Sequence, residues 1–427
     1  MSLARMFNIG LLGLKAHRQA MNVTSDNISN MNTVGFKGAR VNFRDMLDRS
    51  VLGGAGIGGG VEVSSVQRLF QQGAITHGDS PLDFAMAGDG FFMVEGKFNG
   101  AQGEFYTRAG QFRLDRDGYV VNDGGLKLQA YPFDANEVRS SLRGDLQIPQ
   151  ATLPPRGTSS MDLVANLSST TAVGPAFDVA DLSNTTDHAS TIQVHDSLGQ
   201  KHDLTVYFSR TATGWDWNVV ADGGEITGGT PGTPTVVGNG SMTFDANGAL
   251  DTLTPANPSL SVNFAGAAPA QAISMNFGSS IGGGGTGLDG ITQHGSKSQT
   301  KIHTQDGYAA GELEHIELND EGILVGYYDN GEDKKIAQLS IARFTAREEL
   351  NRIGGNLFVE TPDSGQPIVG TAGNGKNNVY GNALEESNVD VATEFVNMIK
   401  EQRAFSASSR SITTADEMFT EVISLKR

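Results

Sequence analysis

Apolar side chains spaced seven residues apart at both ends of the chain, and nowhere between, are the feature that most constrains the fold. From Leu3 to about Ser29, Phe7, Leu14, Met21 and Ile28 recur at that interval, with Leu3 and Leu11 on or beside the same stripe. Near the other end Val391, Met398, Phe405, Ile412 and Phe419 repeat likewise, and Phe395 and Ile423 take the companion positions. This spacing returns an apolar residue to one side of a helix every two turns, so both ends are expected to be amphipathic helices of coiled-coil type. Asp390 stands just before the second run, where it can cap the first free amides, and no Gly or Pro interrupts the chain from there to Arg427. The second row is polar in places, with Arg18 and Ser25 at one end and Gln402, Ser409 and Asp416 at the other. Such a narrow seam suits a slender helix pair, while two ordinary amphipathic helices packed on a globule remain the plainer alternative.

Between the ends the pattern changes to short alternating runs broken by Gly, Asn and Asp: FFMVEG, GQFRLDRDGYVVNDGG, IQVHDSLGQKHDLTVYF and GILVGYYDNGED. These read as β-hairpins. In the third, Ile192 and Val194, then Leu204, Val206 and Phe208, alternate with polar residues on either side of a turn at Ser197-Leu198-Gly199. Pro-rich residues 148–157 and Gly-rich residues 279–290 bracket about 130 residues and read as paired linker strands, which makes the intervening block a domain inserted into another. At 427 residues the chain exceeds what one hydrophobic core usually serves. The expected fold class is mixed: N- and C-terminal α-helical coiled-coil segments flanking nested, mainly β domains.

Composition removes several functions. A formal net charge of -17 with no basic block repels phosphate backbones, so nucleic acid is not an expected partner. The absence of cysteine removes disulfides, thiolate metal sites and a cysteine nucleophile. No stretch approaches 18 apolar residues, so no membrane insertion is expected, and the N-terminus shows no cleavable signal pattern.

Three catalytic or nucleotide patterns match by letter and fail by context. Gly54–Gly59 fits the dinucleotide fingerprint but leads into VEVSSV, a strand, where a helix N-terminus is needed for the pyrophosphate. Gly370–Lys376 approximates a phosphate loop, but Asn377 replaces the Ser or Thr that would ligate magnesium. Gly278–Gly282 mimics a nucleophile elbow without the strand-turn-helix frame. Among the eight histidines no pair stands at i, i+4 on an expected helix, and His195 and His202 are expected to face each other across a hairpin. The acidic residues are single members of turns such as DRDG and NDEG. No residue is singled out as catalytic, cofactor-binding or metal-ligating, and no cofactor is expected.

At the end of the first helix, Asn27-Ile28-Ser29-Asn30-Met31-Asn32-Thr33-Val34-Gly35-Phe36-Lys37 resembles the N-terminal motif shared by flagellar rod, hook and hook-associated proteins. Asparagines can satisfy backbone groups freed where a helix ends, Gly35 permits a left-handed turn, and Phe36 offers an anchor beyond it. The segments Gly88–Phe92 and Tyr106–Phe112 are similar to paired strands of that family's inner β domain, and Ser387–Asp390 with Val396–Ile399, Gln402 and Arg403 to its C-terminal helix motif. Asp196–Gly199, followed by His202–Leu204 and Val206–Phe208, resembles the outer domain of the hook members, which shorter rod proteins lack.

The resemblance implies an exported structural subunit and no enzyme: self-association into a hollow, flexible helical tube that joins rod to filament and conducts later subunits. It implies the hook cap, the distal rod, the hook–filament junction proteins and the type III flagellar export apparatus as partners, and an extracellular place in the flagellum reached without a cleaved signal peptide. The organisation it implies is an inner-tube helix over 1–30, a connecting segment over 31–72, an inner β domain over 73–146 and 299–380, an inserted outer β domain over 147–298, and a connecting turn with the C-terminal helix over 381–427. Its working residues are those of the helix seam, Phe7, Leu14, Met21, Ile28, Val391, Phe395, Met398, Phe405, Ile412 and Phe419, together with the motif residues Asn27, Asn30, Asn32, Thr33, Gly35, Phe36 and Lys37. A distal rod protein is the rival within the family, and a secreted β-rich adhesin or enzyme the rival from another class.

Overall fold

The computed structural model describes residues 3–47, 58–149, 152–373 and 377–424. Most of Gly54–Gly59, and Gly375 with Lys376, lie outside the described residues, but VEVSSV is a strand as its alternation predicts, within Gly58–Arg68. The described helices are α1 (Leu3–Ser29), the single turn α2 (Leu182–Thr185) and α3 (Val391–Ser424), and most of the remaining ordered chain is strand.

The fold class is therefore mainly β with a helix at each end, and the expected coiled coil is not formed. The cause lies in which residues α1 buries. Its buried side is Gly10, Gly13, Ala16, Ala20, Thr24 and Asn27, not the large apolar residues spaced by seven. A Cβ added at Gly10 would come within 2.7 Å of Ile412 Cγ1, and one at Gly13 within 2.8 Å of Ser408 Oγ, so α1 approaches α3 through glycine. Knobs of Phe and Leu cannot occupy a seam this close. The start of α3 is as expected: Asp390 accepts from the amide of Ala392 at 3.0 Å and from Thr393 Oγ1 at 2.7 Å.

The chain divides into two compact units. The first comprises Met1–Gln150, His315–Tyr327 and Asp333–Arg427; the second comprises Ala151–Glu314 and Tyr328–Glu332. In the first unit, α1 is followed by an antiparallel ribbon of β1 (Ala39–Leu47) and β2 (Gly58–Arg68), pairing from Ala39 opposite Arg68 to Leu47 opposite Gly58 with register shifts after Asn42 and Met46. Its sheet places Phe91–Phe98 beside Ala101–Thr107 and Lys127–Pro132, with Asp333–Arg343 beyond. Phe70, Phe91, Met93, Tyr106, Phe344 and Phe358 form one buried cluster. Edge-to-face rings, such as Tyr106 on Phe344 at 4.8 Å and 80°, fix its geometry.

The second unit is a β-sandwich. One sheet is antiparallel in sequence order over His188–His195, Lys201–Arg210, Trp215–Asp222, Pro234–Phe244 and Leu250–Thr254; the other centres on Ser160–Ser168. Their facing residues share one core, in which Trp215 and Trp217 are the largest side chains. The alternation read in the sequence sets the register: Ile192 pairs with Leu204 and Val194 with His202, and Ile192, Val194, Leu204, Val206 and Phe208 are all buried. His195 pairs with Lys201, so His195 and His202 are one step out of register and do not face each other. His202 instead lies buried, its ring stacked 4.1 Å from that of Phe264, with its two nitrogens 3.3 Å from Asp196 and 3.2 Å from Glu225. The Gly-rich residues 279–290 lie inside this unit, packed on the strand after Ala249 by the bond from the Leu250 amide to the Gly287 carbonyl, 2.9 Å. Ser280 there caps a 3-10 turn and takes no nucleophile-elbow geometry. The strands that cross together are instead Leu153 with Gly311 and Arg156 with Tyr308.

Candidate functional site

The motif that ends α1 is almost wholly engaged with the rest of the first unit. Asn27, buried at 2% exposure, donates to the Ala39 carbonyl at 2.8 Å and accepts from the Ala39 amide at 2.9 Å, so its carboxamide replaces a peptide in a ladder. Asn30 donates back to the Asp26 carbonyl at 2.8 Å, satisfying a group left free at the helix end, and Thr33 Oγ1 donates to Asn30 at 3.2 Å. Asn32 is exposed. Gly35 has φ +68°, and any Cβ there would lie 2.5 Å from the Arg108 backbone, so both conformation and space exclude a side chain. Phe36 is buried, with the Arg352 guanidinium 5.1 Å from its ring centre.

Lys37 ends the motif inside the protein. Its ammonium donates to Glu385 Oε1 at 2.6 Å and to the Gln71 carbonyl at 2.8 Å, and both charged side chains are fully buried. Glu385 Oε2 accepts from Arg108 Nη1 at 3.3 Å, and Oε1 accepts also from Gln72 Nε2 at 2.7 Å and the Gly73 amide at 2.9 Å. Arg108 also donates to the carbonyls of Met86, from Nη1, and Gly88, from Nη2, while its buried Nε makes no hydrogen bond. Burial lowers the pKa of Lys37 and of Arg108, with Glu385 opposing the shift in both. Removing one partner of such a group leaves an uncompensated buried charge, at a cost of about 3–5 kcal/mol. Lys37 and Arg108 stand in the stretches singled out by sequence, but Glu385 does not. A lysine closing an otherwise apolar anchor was the available sign that a buried acid must exist somewhere in the chain.

The seam residues lie elsewhere. Phe7 and Phe395 are exposed, at 40% and 51%, while Leu14, Met21, Ile28, Val391, Met398, Phe405, Ile412 and Phe419 are half-buried. Leu11, Val396, Ile399, Met418, Val422 and Ile423 add further exposed apolar surface to the two helices. In α3 the one buried residue among those described is Ala415. The helices are also joined by a bond of 2.6 Å between His17 Nδ1 and Glu401 Oε2. Among the described residues no group of three or more His, Asp or Glu is placed to hold a metal ion, and no helix is long and apolar enough to cross a membrane.

A helix pair that leaves several large apolar residues exposed, rooted in a β unit by this motif, is a part suited to being covered. Comparison with known proteins supplies the family. Four family profiles match along the chain: "Flagella basal body rod protein" over residues 7–37, "Flagellar hook protein FlgE/F/G D1 domain" over 85–165, "Flagellar basal body protein FlaE D2 domain" over 165–308, and "Flagellar basal body rod FlgEFG protein C-terminal" over 381–425. The flagellar hook protein FlgE of Treponema pallidum is 33% identical over 98% of each chain. That of Escherichia coli is 31% identical over 98% of this chain and all of its own. The chain belongs to the flagellar hook protein family. It is a structural subunit of the hook, not an enzyme, and it belongs to the flagellum; hook-family subunits self-associate to build that structure. The crystal structure of a Helicobacter pylori flagellar hook protein, FlgE2, shares the fold over 73% of this chain and all of its own, with a TM-score of 0.53 at 16% identity.

Proposed function

We propose that the chain polymerises into a hollow, flexible tube that acts as the universal joint between rod and filament and conducts exported subunits. Subunits meet through Phe7, Leu14, Met21 and Ile28 of α1 and Val391, Phe395, Met398, Phe405, Ile412 and Phe419 of α3. The observation that carries this reading is the run of exposed apolar side chains on two adjoining helices, Phe7 and Leu11 of α1 and Phe395, Val396, Ile399, Met418, Val422 and Ile423 of α3. A water-exposed stripe of that size is a standing free-energy gain for any neighbour that covers it, about 25 cal/mol for each Å² removed from water.

The same reading places the subunit outside the cell after export by the type III flagellar apparatus without a cleaved signal peptide. Its partners are the hook cap during growth, the distal rod below and the hook–filament junction proteins above. The inserted segment 147–298 is the outer β domain of the subunit, and the termini line the tube. The test is salting-out of purified full-length chain with negative-stain imaging, for the wild type and for Phe395→Asp. The wild type should give curved tubes of uniform width, and the variant dispersed particles with an unchanged β circular-dichroism signal. Tubes of normal yield from the variant would remove α3 from the contact.

A further inference from the structure

The carboxylate of Glu385 is the acceptor for four donors that come from three distant stretches of chain: Lys37, Gln72 with the Gly73 amide, and Arg108. Its own main chain adds two more ties. The Glu385 carbonyl accepts from the Gly35 amide at 2.7 Å, and the short strand Ala383–Glu385 pairs with Ile75–His77. Among the described residues Lys37 pairs with no other acid, its remaining bond being to the Gln71 carbonyl. Downstream, Asn388 continues the join, accepting from the Gly38 amide at 2.8 Å and donating to the Leu69 carbonyl at 2.6 Å. The root of α1 and the root of α3 are thus joined by Glu385, with Asn388 beside it, and Glu385 lies only six residues before α3 begins.

We infer that Glu385 is a positioning residue that couples the docking of the two terminal helices, so that neither root seats on the first unit without the other. If the segment carrying Glu385 is absent from its place, Lys37 is a buried cation with no counter-charge and Arg108 loses its directly bonded carboxylate, and the motif at 27–37 is expelled. Once the segment arrives, both cations, the Gln72 side chain and the Gly73 amide are satisfied together, so the root closes in one step. A chain made or delivered N-terminus first would hold its α1 root open until residue 385 is in place. The inference concerns the monomer and rests on the assembly reading only for its consequence in the polymer.

The test uses soluble full-length chain and an amine-modifying reagent, with labelling of each lysine followed by mass spectrometry. In the wild type Lys37 should label far more slowly than the exposed Lys335. Glu385→Gln should raise the Lys37 rate by roughly a hundredfold, while labelling of Lys201 in the second unit stays unchanged. Lys37 still protected in that variant overturns the inference. A second measurement needs no variant: hydrogen exchange of the wild type in rising urea should open peptides over 33–39, 69–75 and 383–389 in one step. Three separate steps would equally overturn it. Because both readouts are taken on monomer, loss of polymer in other variants cannot be confused with loss of this coupling.

Discussion

The strand Trp215–Asp222 and helix α3 both carry many large apolar side chains, and they dispose of them in opposite ways. Six of the strand's eight residues are buried, and Trp215, Trp217, Val219 and Ala221 lie between two sheets of one unit. The 34 residues of α3 bury only Ala415 among the described side chains, and Ile423 is 67% exposed. The difference lies in where the complementary surface comes from, not in hydrophobicity. The sandwich receives its second sheet from the same chain, so folding completes it. The helices meet where Gly10 and Gly13 of α1 lie against Ile412 and Ser408 of α3, which brings the backbones close but leaves Phe7, Leu11, Phe395, Val396 and Ile399 exposed. A subunit can thus be fully folded over most of its length and still be unfinished at its ends.

The largest expected effect breaks the finished half. Phe277 packs against Trp217 with ring centres 5.3 Å apart, and both are buried. Phe277→Ala should destabilise the second unit by about 3–5 kcal/mol. Both tryptophans of the chain lie in that unit, so urea unfolding followed by tryptophan fluorescence reads it directly. A loss below about 1 kcal/mol would mean the core is far looser than its packing implies.

An intermediate effect should follow where the helices meet. Gly10→Val puts a branched side chain where even a Cβ would be 2.7 Å from Ile412 Cγ1, and overpacking of this kind costs about 1–3 kcal/mol. Helical circular dichroism should fall, and tryptophan-detected unfolding should not move. Unchanged helicity would show that the close approach of α1 to α3 is not needed for either helix.

The smallest effect concerns the first turn of α3. Hydrogen bonds from Thr393 Oγ1 and then from the Ala392 amide hold the Asp390 carboxyl below its ordinary value of 3.8. The folded state therefore prefers the carboxylate. Its contribution is present above 3.8 and is lost as pH falls through the lowered folded value. Amides at the start of α3 should lose protection in that acidic window, and Asp390→Asn, which keeps an acceptor but does not titrate there, should remove the pH step. A step that survives Asp390→Asn would belong to another acid.

How much of this was legible in the sequence depends on how local the cause is. The hairpin turns were readable because their chemistry lies within five residues. Asp115, Asp196, Asp245 and Asn319 each accept from the amides two and four residues ahead, and the glycine three ahead, Gly118, Gly199, Gly248 or Gly322, has φ between +71° and +84°. The cap at Asp390 was readable for the same reason. The seven-residue repeat was read as a coiled coil because large side chains dominate periodicity, whereas the contact between α1 and α3 is set by where side chains are missing. Glu385 could not be found from its neighbours, since its four donors lie 277 to 348 residues away. The glycine run at 279–290 was misleading as a border because glycine there serves close backbone packing against the strand after Ala249, not a flexible connection.

The measurement that bears most directly on the account is amide hydrogen exchange compared between monomer and salted-out polymer of the same full-length chain. The strands Lys201–Arg210 and Trp215–Asp222 should be equally protected in both states. The amides of α1 from Phe7 to Ile28 and of α3 from Val391 to Ile423 should gain protection of roughly a hundredfold or more on polymerisation, as apolar faces open in the monomer become covered. Equal protection of the helices in monomer and polymer would contradict the account, because the surface left open on α1 and α3 would then remain open in the assembled tube.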